Sequence, residues 1–109
     1  MNTGYRWMHF RMKRLQHTFR HARNFGVLGT SNKNTLAAFR RALLAHIASP
    51  HTTVLEGYYR NRPVTHFIDL RSGLNVMRGA DGYYLSGWRL NERQFGCLLN
   101  SGRVGGAKS

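Results

Sequence analysis

Two histidines four residues apart, set among basic side chains, form the first group in this sequence that could do chemistry. On a helix His17 and His21 would stand one above the other, and Lys13, Arg14 and Arg20 would share their face. Cleavage of a ribose–phosphate chain needs a base near the 2′-hydroxyl, an acid for the departing oxygen, and cations around the phosphate. Histidine serves as base or acid near neutral pH, while neighbouring cations lower its pKa and stabilise developing negative charge. The same residues would also suit a solvated basic face.

A zinc site is the other chemistry that two histidines at this spacing permit. A metalloprotease helix would carry Glu directly after the first histidine, whereas Thr18 follows His17 here. The surrounding cations would also repel a metal ion. Since the four acidic residues are scattered along the sequence, they indicate no carboxylate site either. We therefore predict no metal and no cofactor.

A serine and a tryptophan two residues apart form the second candidate. Ser86 and Trp88 would point to one face of a strand, with Gly87 between them leaving the other face open. A hydroxyl beside an indole could hold a phosphate and stack a base. The alternative is that Trp88 belongs to the core. The residues around Ser86 lack the pattern of a nucleophile elbow, so we do not predict a hydrolase nucleophile.

Other aromatic, histidine and cysteine residues are interpreted as mainly structural. Tyr58 and Tyr59 precede Arg60 and could stack nucleotides, but neighbouring strand residues face opposite ways, so at most one lies on a binding face. His66 alternates with apolar residues and is predicted to be a satisfied core histidine. Cys97 lies in an apolar run and is predicted to be buried, and a lone cysteine excludes an intramolecular disulfide.

The charge balance predicts a polyanionic partner. The 109-residue chain carries 17 Lys and Arg residues against 4 acidic ones, a formal net charge of +13, and no acidic residue precedes Glu56. So large an excess raises the energy of the compact state by self-repulsion. Charge alone does not separate RNA from DNA, a membrane surface or an acidic protein. No stretch approaches the roughly 20 apolar residues of a membrane span.

Hydrophobic periodicity in the first half predicts two helices. An apolar residue at every third or fourth position indicates a first helix over about 5–24. Residues 1–14 are interpreted as an N-terminal extension of the domain that includes the beginning of this helix. Asn32 is a good N-cap for a second helix, which the Ser49-Pro50 pair ends. The predicted core face of this second helix consists of Leu36, Phe39, Leu43 and Ile47.

The second half alternates apolar and polar residues, which indicates strands joined by turns. Turn residues divide it into four predicted strands, at 53–60, 64–69, 74–78 and 83–89. Asn91 caps a short final helix that Gly102 closes, and residues 103–109 are predicted to be a flexible tail. We therefore predict a single α+β domain over 1–109, with two N-terminal helices packed on a four-stranded antiparallel meander and a short C-terminal helix.

Several blocks of the sequence, taken in order, resemble one known family. They are FRHARNFG at 19–26, NTL at 34–36 with Phe39 and His46, PVTHF at 63–67, SGLNV at 72–76 and LSGWRL at 85–90. These blocks resemble the C-terminal transfer RNase domain of the colicin D type, found in bacteriocins and contact-dependent inhibition effectors. The likeness runs over about residues 15–106. Each block alone is weak, whereas the order and spacing of all of them are specific.

The resemblance implies an activity and a set of catalytic residues. The activity is cleavage in the anticodon loop of particular transfer RNAs, without metal, leaving a 2′,3′-cyclic phosphate and a 5′-hydroxyl. His21 matches the family's catalytic histidine, and Arg20 matches a lysine just before it. Ser86 and Trp88 match its further active-site serine and tryptophan.

One departure from the family pattern concerns the residues that would hold the phosphate. Thr18 stands where the family has a second lysine, three positions before the catalytic histidine. Nearby basic residues would replace that lysine, and His17 could also supply the second proton-transfer group. The side chains expected to bind RNA are Lys13, Arg14, His17, Arg23 and Arg89.

The resemblance also implies partners and a setting. The partners would be transfer RNA and an acidic cognate immunity protein that occupies the basic cleft, with the domain itself monomeric. The domain would be delivered as part of a larger secreted toxin and act in the cytoplasm of a bacterial target cell. The alternative from a different class is a basic RNA-binding module without chemistry, and a ribosome- or DNA-associated structural protein is a third.

Overall fold

In a computed structural model, which describes residues 6–105, the protein combines helices with one five-stranded sheet. The helices are α1 (Met12–Thr18), a 3-10 helix (Phe19–Phe25), α2 (Lys33–Ala48) and α3 (Glu92–Ser101). The strands are β1 (Thr52–Tyr59), β2 (Arg62–Asp69), β3 (Leu74–Gly79), β4 (Tyr84–Arg89) and β5 (Arg103–Val104). The predicted α+β class is confirmed. None of the helices within residues 6–105 is both long and apolar enough to cross a membrane.

The first helix is shorter than predicted. Position 5, its predicted start, lies outside the described residues, and residues 6–11 are not helical. His9 instead forms a bridge with the β3–β4 turn, and its carbonyl accepts the N–H of Tyr84 at 2.8 Å. Because this bridge keeps the chain extended, α1 begins only at Met12. The predicted helix is therefore wrong at its N-terminal end.

At Thr18 the α-helix gives way to the 3-10 helix. The buried Thr18 hydroxyl donates to the Arg14 carbonyl at 2.9 Å and accepts from the Tyr84 hydroxyl at 2.8 Å. A threonine that bonds back to the carbonyl four residues earlier tends to bend a helix. Because a 3-10 helix has three residues per turn, the α-helical spacing that would set His17 directly above His21 is not kept.

The second helix follows the prediction. The Asn32 side chain accepts the backbone N–H groups of Asn34 and Thr35, and the Thr35 hydroxyl accepts the Asn32 N–H in return. The helix ends before Ser49, whose backbone is extended. Its buried residues are the four predicted ones, Leu36, Phe39, Leu43 and Ile47.

The sheet has the strand order β4-β3-β2-β1-β5. Its first four strands pair antiparallel in sequence order, so the predicted meander is confirmed. The fifth strand is an addition to the prediction, because Arg103 and Val104 pair parallel with the end of β1, and Val104 is buried. The predicted flexible tail over 103–109 is therefore wrong at its first two residues, while 106–109 lie outside the described residues.

Apolar residues fill both faces of the sheet. One cluster lies under α1 and α2 and includes Phe39 and Phe67, whereas α3 covers the other face with Leu98. Cys97 is exposed, contrary to the prediction. The side chain one position before Leu98 points about 100° away on a helix, so Cys97 faces solvent even though its neighbours in sequence are apolar.

The end of α3 presses directly against the backbone of β1. A Cβ on Gly57 would lie 2.1 Å from the carbonyl oxygen of Gly102, so only glycine allows this approach. That oxygen accepts the Tyr58 N–H at 2.7 Å and lies 3.1 Å from His66 Nε2, which donates to it. The other ring nitrogen of His66 accepts from the Asn75 amide at 3.1 Å. His66 is thus a buried, satisfied core histidine as predicted, and burial lowers its pKa.

Candidate active site

A basic cleft of about 320 Å³ opens between α1, the β1–β2 turn and β4. The residues that line it are Arg14, His17, Thr18, Arg20, Tyr59, Arg60, Arg62, Leu85 and Ser86. This set contains four arginines and no acidic residue, so its electrostatic potential favours an anion such as phosphate. Within residues 6–105, no three His, Cys, Asp or Glu side chains lie close enough together to hold a metal ion.

His21 lies beside this cleft in the 3-10 helix. Its ring packs on the indole of Trp88, with centroids 5.5 Å apart and planes tilted by 32°. Nε of Arg20 donates to Nε2 of His21 at 3.3 Å. In the neutral ring Nε2 therefore carries the lone pair and Nδ1 the proton. The structure thus brings together three of the four residues that the resemblance implied to be catalytic.

Three effects lower the pKa of His21 below its ordinary value of 6.5. The largest is partial burial, followed by the positive charge of Arg20 and then that of His17. The ring is therefore mainly neutral at pH 7. A neutral imidazole can accept a proton from a substrate hydroxyl that approaches its lone pair.

Trp88 contacts His21 and also packs, partly buried, against the core cluster under α3. Its indole N–H donates to Oε1 of Gln94 at 3.2 Å, and its ring meets Tyr59 edge-on with centroids 5.9 Å apart. Gln94 Oε1 also accepts the Asn91 N–H at 3.0 Å in the capping box of α3. The N-terminus of α3 therefore fixes the orientation in which the indole meets His21.

Ser86 lines the cleft from β4. It pairs with Met77 of β3, beside an irregularity in the register of the two strands. Among the residues that the structure describes, its hydroxyl has no hydrogen-bond partner, so it is available to a ligand. The neighbouring Gly87 does not leave its own face open as predicted. A Cβ there would come within 3.3 Å of the Phe25 ring, which covers that face.

The Thr18 hydroxyl stabilises the fold and is not available to bind a phosphate. Its hydroxyl is engaged by Arg14 and Tyr84 inside the protein, as described above. Burial raises the pKa of the Tyr84 hydroxyl, so Tyr84 stays neutral and keeps donating to Thr18. Of the three residues predicted to replace a lysine at position 18, Arg14 and His17 line the cleft, whereas Lys13 does not.

Two arginines reach the cleft from the β1–β2 turn and were not singled out by the sequence. Arg60 and Asn61 have positive φ angles of 51° and 67°, the conformation of tight hairpin turns. This turn places Arg60 and Arg62 across the cleft from α1. Tyr59 also lines the cleft while Tyr58 does not, which agrees with the prediction that at most one of the two faces a ligand. The sequence feature that could have indicated these two cleft residues is the pair of arginines on either side of the turn residue Asn61.

Three predicted RNA-binding residues lie outside the cleft, whereas Arg14 and His17 line it. Lys13 lines an adjoining open depression. Arg23 is exposed on the 3-10 helix and lines neither surface. Nε of Arg89 donates to a carbonyl in the β2–β3 turn at 3.1 Å, and Arg89 also lines neither.

The fold and the site define a class of protein. It is a small basic α+β domain whose arginine-lined cleft lies beside a contact between a histidine and a tryptophan. The family model for Colicin D matches residues 14–98, so the chain belongs to the colicin D family. It is 34% identical over 84 residues to Colicin-D of Escherichia coli, an alignment that covers 75% of this chain and only 12% of that protein.

A solved structure has a similar fold. It is a ribonuclease from Escherichia coli in complex with its inhibitor protein, with a TM-score of 0.74 and 26% sequence identity. The match covers 83% of this chain and 99% of that chain.

Proposed function

We propose that the protein is a metal-independent endoribonuclease that cuts transfer RNA in the anticodon loop. The observation that carries this proposal is the position of the His21 imidazole, which contacts Arg20 and Trp88 beside an arginine-lined cleft. Membership of the colicin D family and the similarity to a solved ribonuclease support it. The cations of the cleft would also repel a metal ion and take over its task of neutralising the phosphate.

The proposed reaction is an internal transfer of the phosphate. The ribose 2′-hydroxyl replaces Arg20 Nε as the partner of His21 Nε2, and this nitrogen takes the proton of the hydroxyl. O2′ then attacks the phosphorus, and the bond to the 5′-oxygen breaks. The products are a 2′,3′-cyclic phosphate and a 5′-hydroxyl, whose oxygen takes its proton from His17. Arg20 and the Ser86 hydroxyl stabilise the charge on the phosphorane.

The aromatic residues of the site would position the nucleotide. Trp88 and Tyr59 meet edge-on beside the cleft, so a base or ribose can pack against one of them. Bases of a single-stranded loop can be splayed out and stacked on such rings, whereas bases inside a duplex cannot. This difference supports a loop rather than a stem as the substrate.

An acidic immunity protein is the second partner that we propose. The related ribonuclease was solved with an inhibitor protein bound. A cleft lined by Arg14, Arg20, Arg60 and Arg62 would attract acidic side chains as well as phosphates. We further propose that the domain acts in the cytoplasm of a bacterial target cell and is delivered as part of a larger toxin. Colicin-D is a longer protein of this family, since the alignment covers 12% of it.

Incubation with total bacterial transfer RNA in the presence of EDTA tests the proposal. We expect discrete fragments ending in a 2′,3′-cyclic phosphate, and the sequence at these ends identifies the target. The same transfer RNA with a 2′-O-methylated anticodon loop should resist cleavage, because the attacking oxygen is blocked. Intact RNA that is merely retarded on a gel would contradict the nuclease and favour a basic RNA-binding module.

Replacing Arg20 by Gln should change the pH dependence of cleavage. Loss of the neighbouring positive charge raises the His21 pKa towards its ordinary value, so more of the base is protonated at a given acidic pH. The acid limb of the kcat/KM profile should therefore move to higher pH, with a plateau lower by about tenfold or more. Arg41→Gln removes the same charge from an exposed site on α2 and should leave the limb in place. An unmoved limb in Arg20→Gln would show that Arg20 does not set the basicity of His21.

A further inference from the structure

A second surface, outside the cleft, combines aromatic rings with a guanidinium group. Trp7 and His9 have ring centroids 4.8 Å apart, and His9 and Tyr83 have centroids 5.1 Å apart. The guanidinium carbon of Arg11 lies 3.6 Å from the centroid of the Tyr83 ring. Trp7 is 43% exposed, and His9 is exposed as well. We call Trp7, His9 and Tyr83 the aromatic platform.

The segment that carries the platform is fixed to the rest of the domain. The guanidinium of Arg6 donates to the carbonyls of Ile47, Ser49 and Thr52 at distances between 2.9 and 3.2 Å. Met8 is buried, and the backbone of His9 is bonded on both sides to the β3–β4 turn. The platform is therefore a preorganised surface, on which a ligand loses less free energy to ordering of the protein.

The platform is continuous with the cleft along the exposed face of α1. An open depression of about 630 Å³ connects them, and its lining residues are Arg11, Lys13, Arg14, Gln16 and His17. Arg14 and His17 also line the cleft. At the other end of the depression, Arg11 lies on the ring of Tyr83. A basic path thus leads from Arg11, beside the platform, to the cleft, and no acidic residue lines it.

We propose that the platform and the depression bind the RNA strand that flanks the nucleotides in the cleft. A base stacks on the exposed ring of Trp7, while phosphates contact Arg11, which Tyr83 holds in place, and Lys13. Aromatic rings beside a cationic groove are how proteins hold single-stranded nucleic acid. The Asp81 carboxylate accepts the Tyr83 N–H at 3.0 Å and lies 3.9 Å from Arg11. Because both side chains of this ion pair are exposed, the pair is weak and Arg11 can turn to a phosphate. The proposal rests on the assignment of the cleft as an RNA site.

The platform lies beyond the part of the chain that the family match covers. That match begins at residue 14, so Trp7, His9 and Arg11 are N-terminal to it. Family membership therefore assigns these three residues no role, and the argument for RNA depends on their own geometry, charge and continuity with the cleft.

Equilibrium binding in the absence of cleavage tests this inference. In a His21→Ala background, the affinity for labelled full-length transfer RNA is measured at several salt concentrations, with and without a further substitution. Trp7→Ala should weaken binding by about tenfold through the loss of base stacking. Arg11→Gln should reduce the slope of log Kd against log salt by about one, because one phosphate contact is lost. Arg41→Gln is the matched charge control and should change neither quantity.

A short anticodon-loop oligonucleotide, which reaches only the cleft, provides the second arm. It should bind the Trp7→Ala and Arg11→Gln variants as tightly as their parent. If Trp7→Ala does not fold, as judged by its unfolding transition, the variants Arg11→Gln and Lys13→Gln at exposed positions still test the inference. Each should reduce the slope of log Kd against log salt for transfer RNA.

Several results would overturn the inference. One is an unchanged affinity and salt slope for transfer RNA in the Trp7→Ala and Arg11→Gln variants. The others are an equal loss of affinity in the Arg41→Gln control, or an equal loss of affinity for the short oligonucleotide. Weaker binding of an acidic protein with RNA binding unchanged would assign the surface to a protein partner instead. If the wild-type chain does not cut RNA but Trp7 and Arg11 variants still bind transfer RNA more weakly, the surface is confirmed while the proposed nuclease is not.

Discussion

Replacing His21 by Ala should lower the rate of transfer RNA cleavage by about a thousandfold while leaving RNA binding nearly intact. His21 holds the proposed proton acceptor, whereas the cations that attract the phosphate lie on Arg14, Arg60 and Arg62 and are unaffected. Single-turnover cleavage with excess enzyme gives the chemical step, and gel retardation of the same RNA gives its affinity. The acid limb of the pH profile should disappear with the imidazole, because no group with a lowered pKa then remains in its place.

His51→Ala is the matched control for this experiment. His51 is an exposed histidine in the turn before β1 and lines neither the cleft nor the depression. Its replacement removes the same ring and should leave the rate unchanged. An unfolding transition like that of the parent shows that His21→Ala is folded despite its lost contact with Trp88. Substantial cleavage by this folded variant would remove His21 from the role of base.

Replacing Gly57 by Ala should destabilise the domain by about 3 kcal/mol or more. The added Cβ would lie 2.1 Å from the Gly102 carbonyl oxygen, and a backbone atom cannot move aside as a flexible side chain can. Relief requires the end of α3 to move away from β1, which breaks the hydrogen bonds that Tyr58 and His66 donate to that oxygen. Urea or thermal unfolding measures the loss.

The same substitution should also reduce cleavage. α3 fixes the indole of Trp88 through Gln94, so a displaced helix loosens the contact between Trp88 and His21. Gly96→Ala is the control within the same helix, since a Cβ there meets nothing within 4 Å. It should stabilise the domain by about 0.5–1 kcal/mol, because glycine in a helix interior loses more backbone entropy than alanine. Equal stabilities of the two alanine variants would contradict the proposed close contact.

The parts of the fold that local signals determine could be predicted from the sequence. Asn32 caps α2 through its own side chain, and the four apolar residues of that helix repeat at helical spacing. The strands of the meander alternate and are separated by turn residues, such as Asp81 and Gly82 before β4. These features depend on residues close together in the chain, so their pattern is visible without the tertiary structure.

The parts that were missed depend on residues far apart in the chain. The helical pattern before Met12 is overridden because His9 bonds to the β3–β4 turn. Thr18 ends the α-helix through its hydrogen bonds, one of them from Tyr84. β5 forms only because Gly57 lets the end of α3 approach β1. No pattern of neighbouring residues in the sequence predicts these contacts.

The candidate site likewise contains residues that the sequence indicated and residues that depend on the tertiary structure. The resemblance named Arg20, His21 and Trp88, and the structure brings them into contact. Arg62 was missed because a turn arginine joins a cleft only if the turn is placed opposite a helix. Arg89 lies outside the cleft because it stands at the far end of β4, where its guanidinium donates to a carbonyl of the β2–β3 turn.

The position of the cleft's components along the chain has a consequence for synthesis on the ribosome. Within this domain α1 is synthesised before Ser86 and Trp88, and β5, which completes the sheet, is synthesised after them. Contacts between such distant segments form late, because closing long loops costs entropy before packing compensates for it. A nascent chain therefore presents a basic helix but no assembled cleft. We expect the proposed nuclease to become active only when the whole domain has been synthesised and folded, which is also when an immunity protein can recognise its cleft.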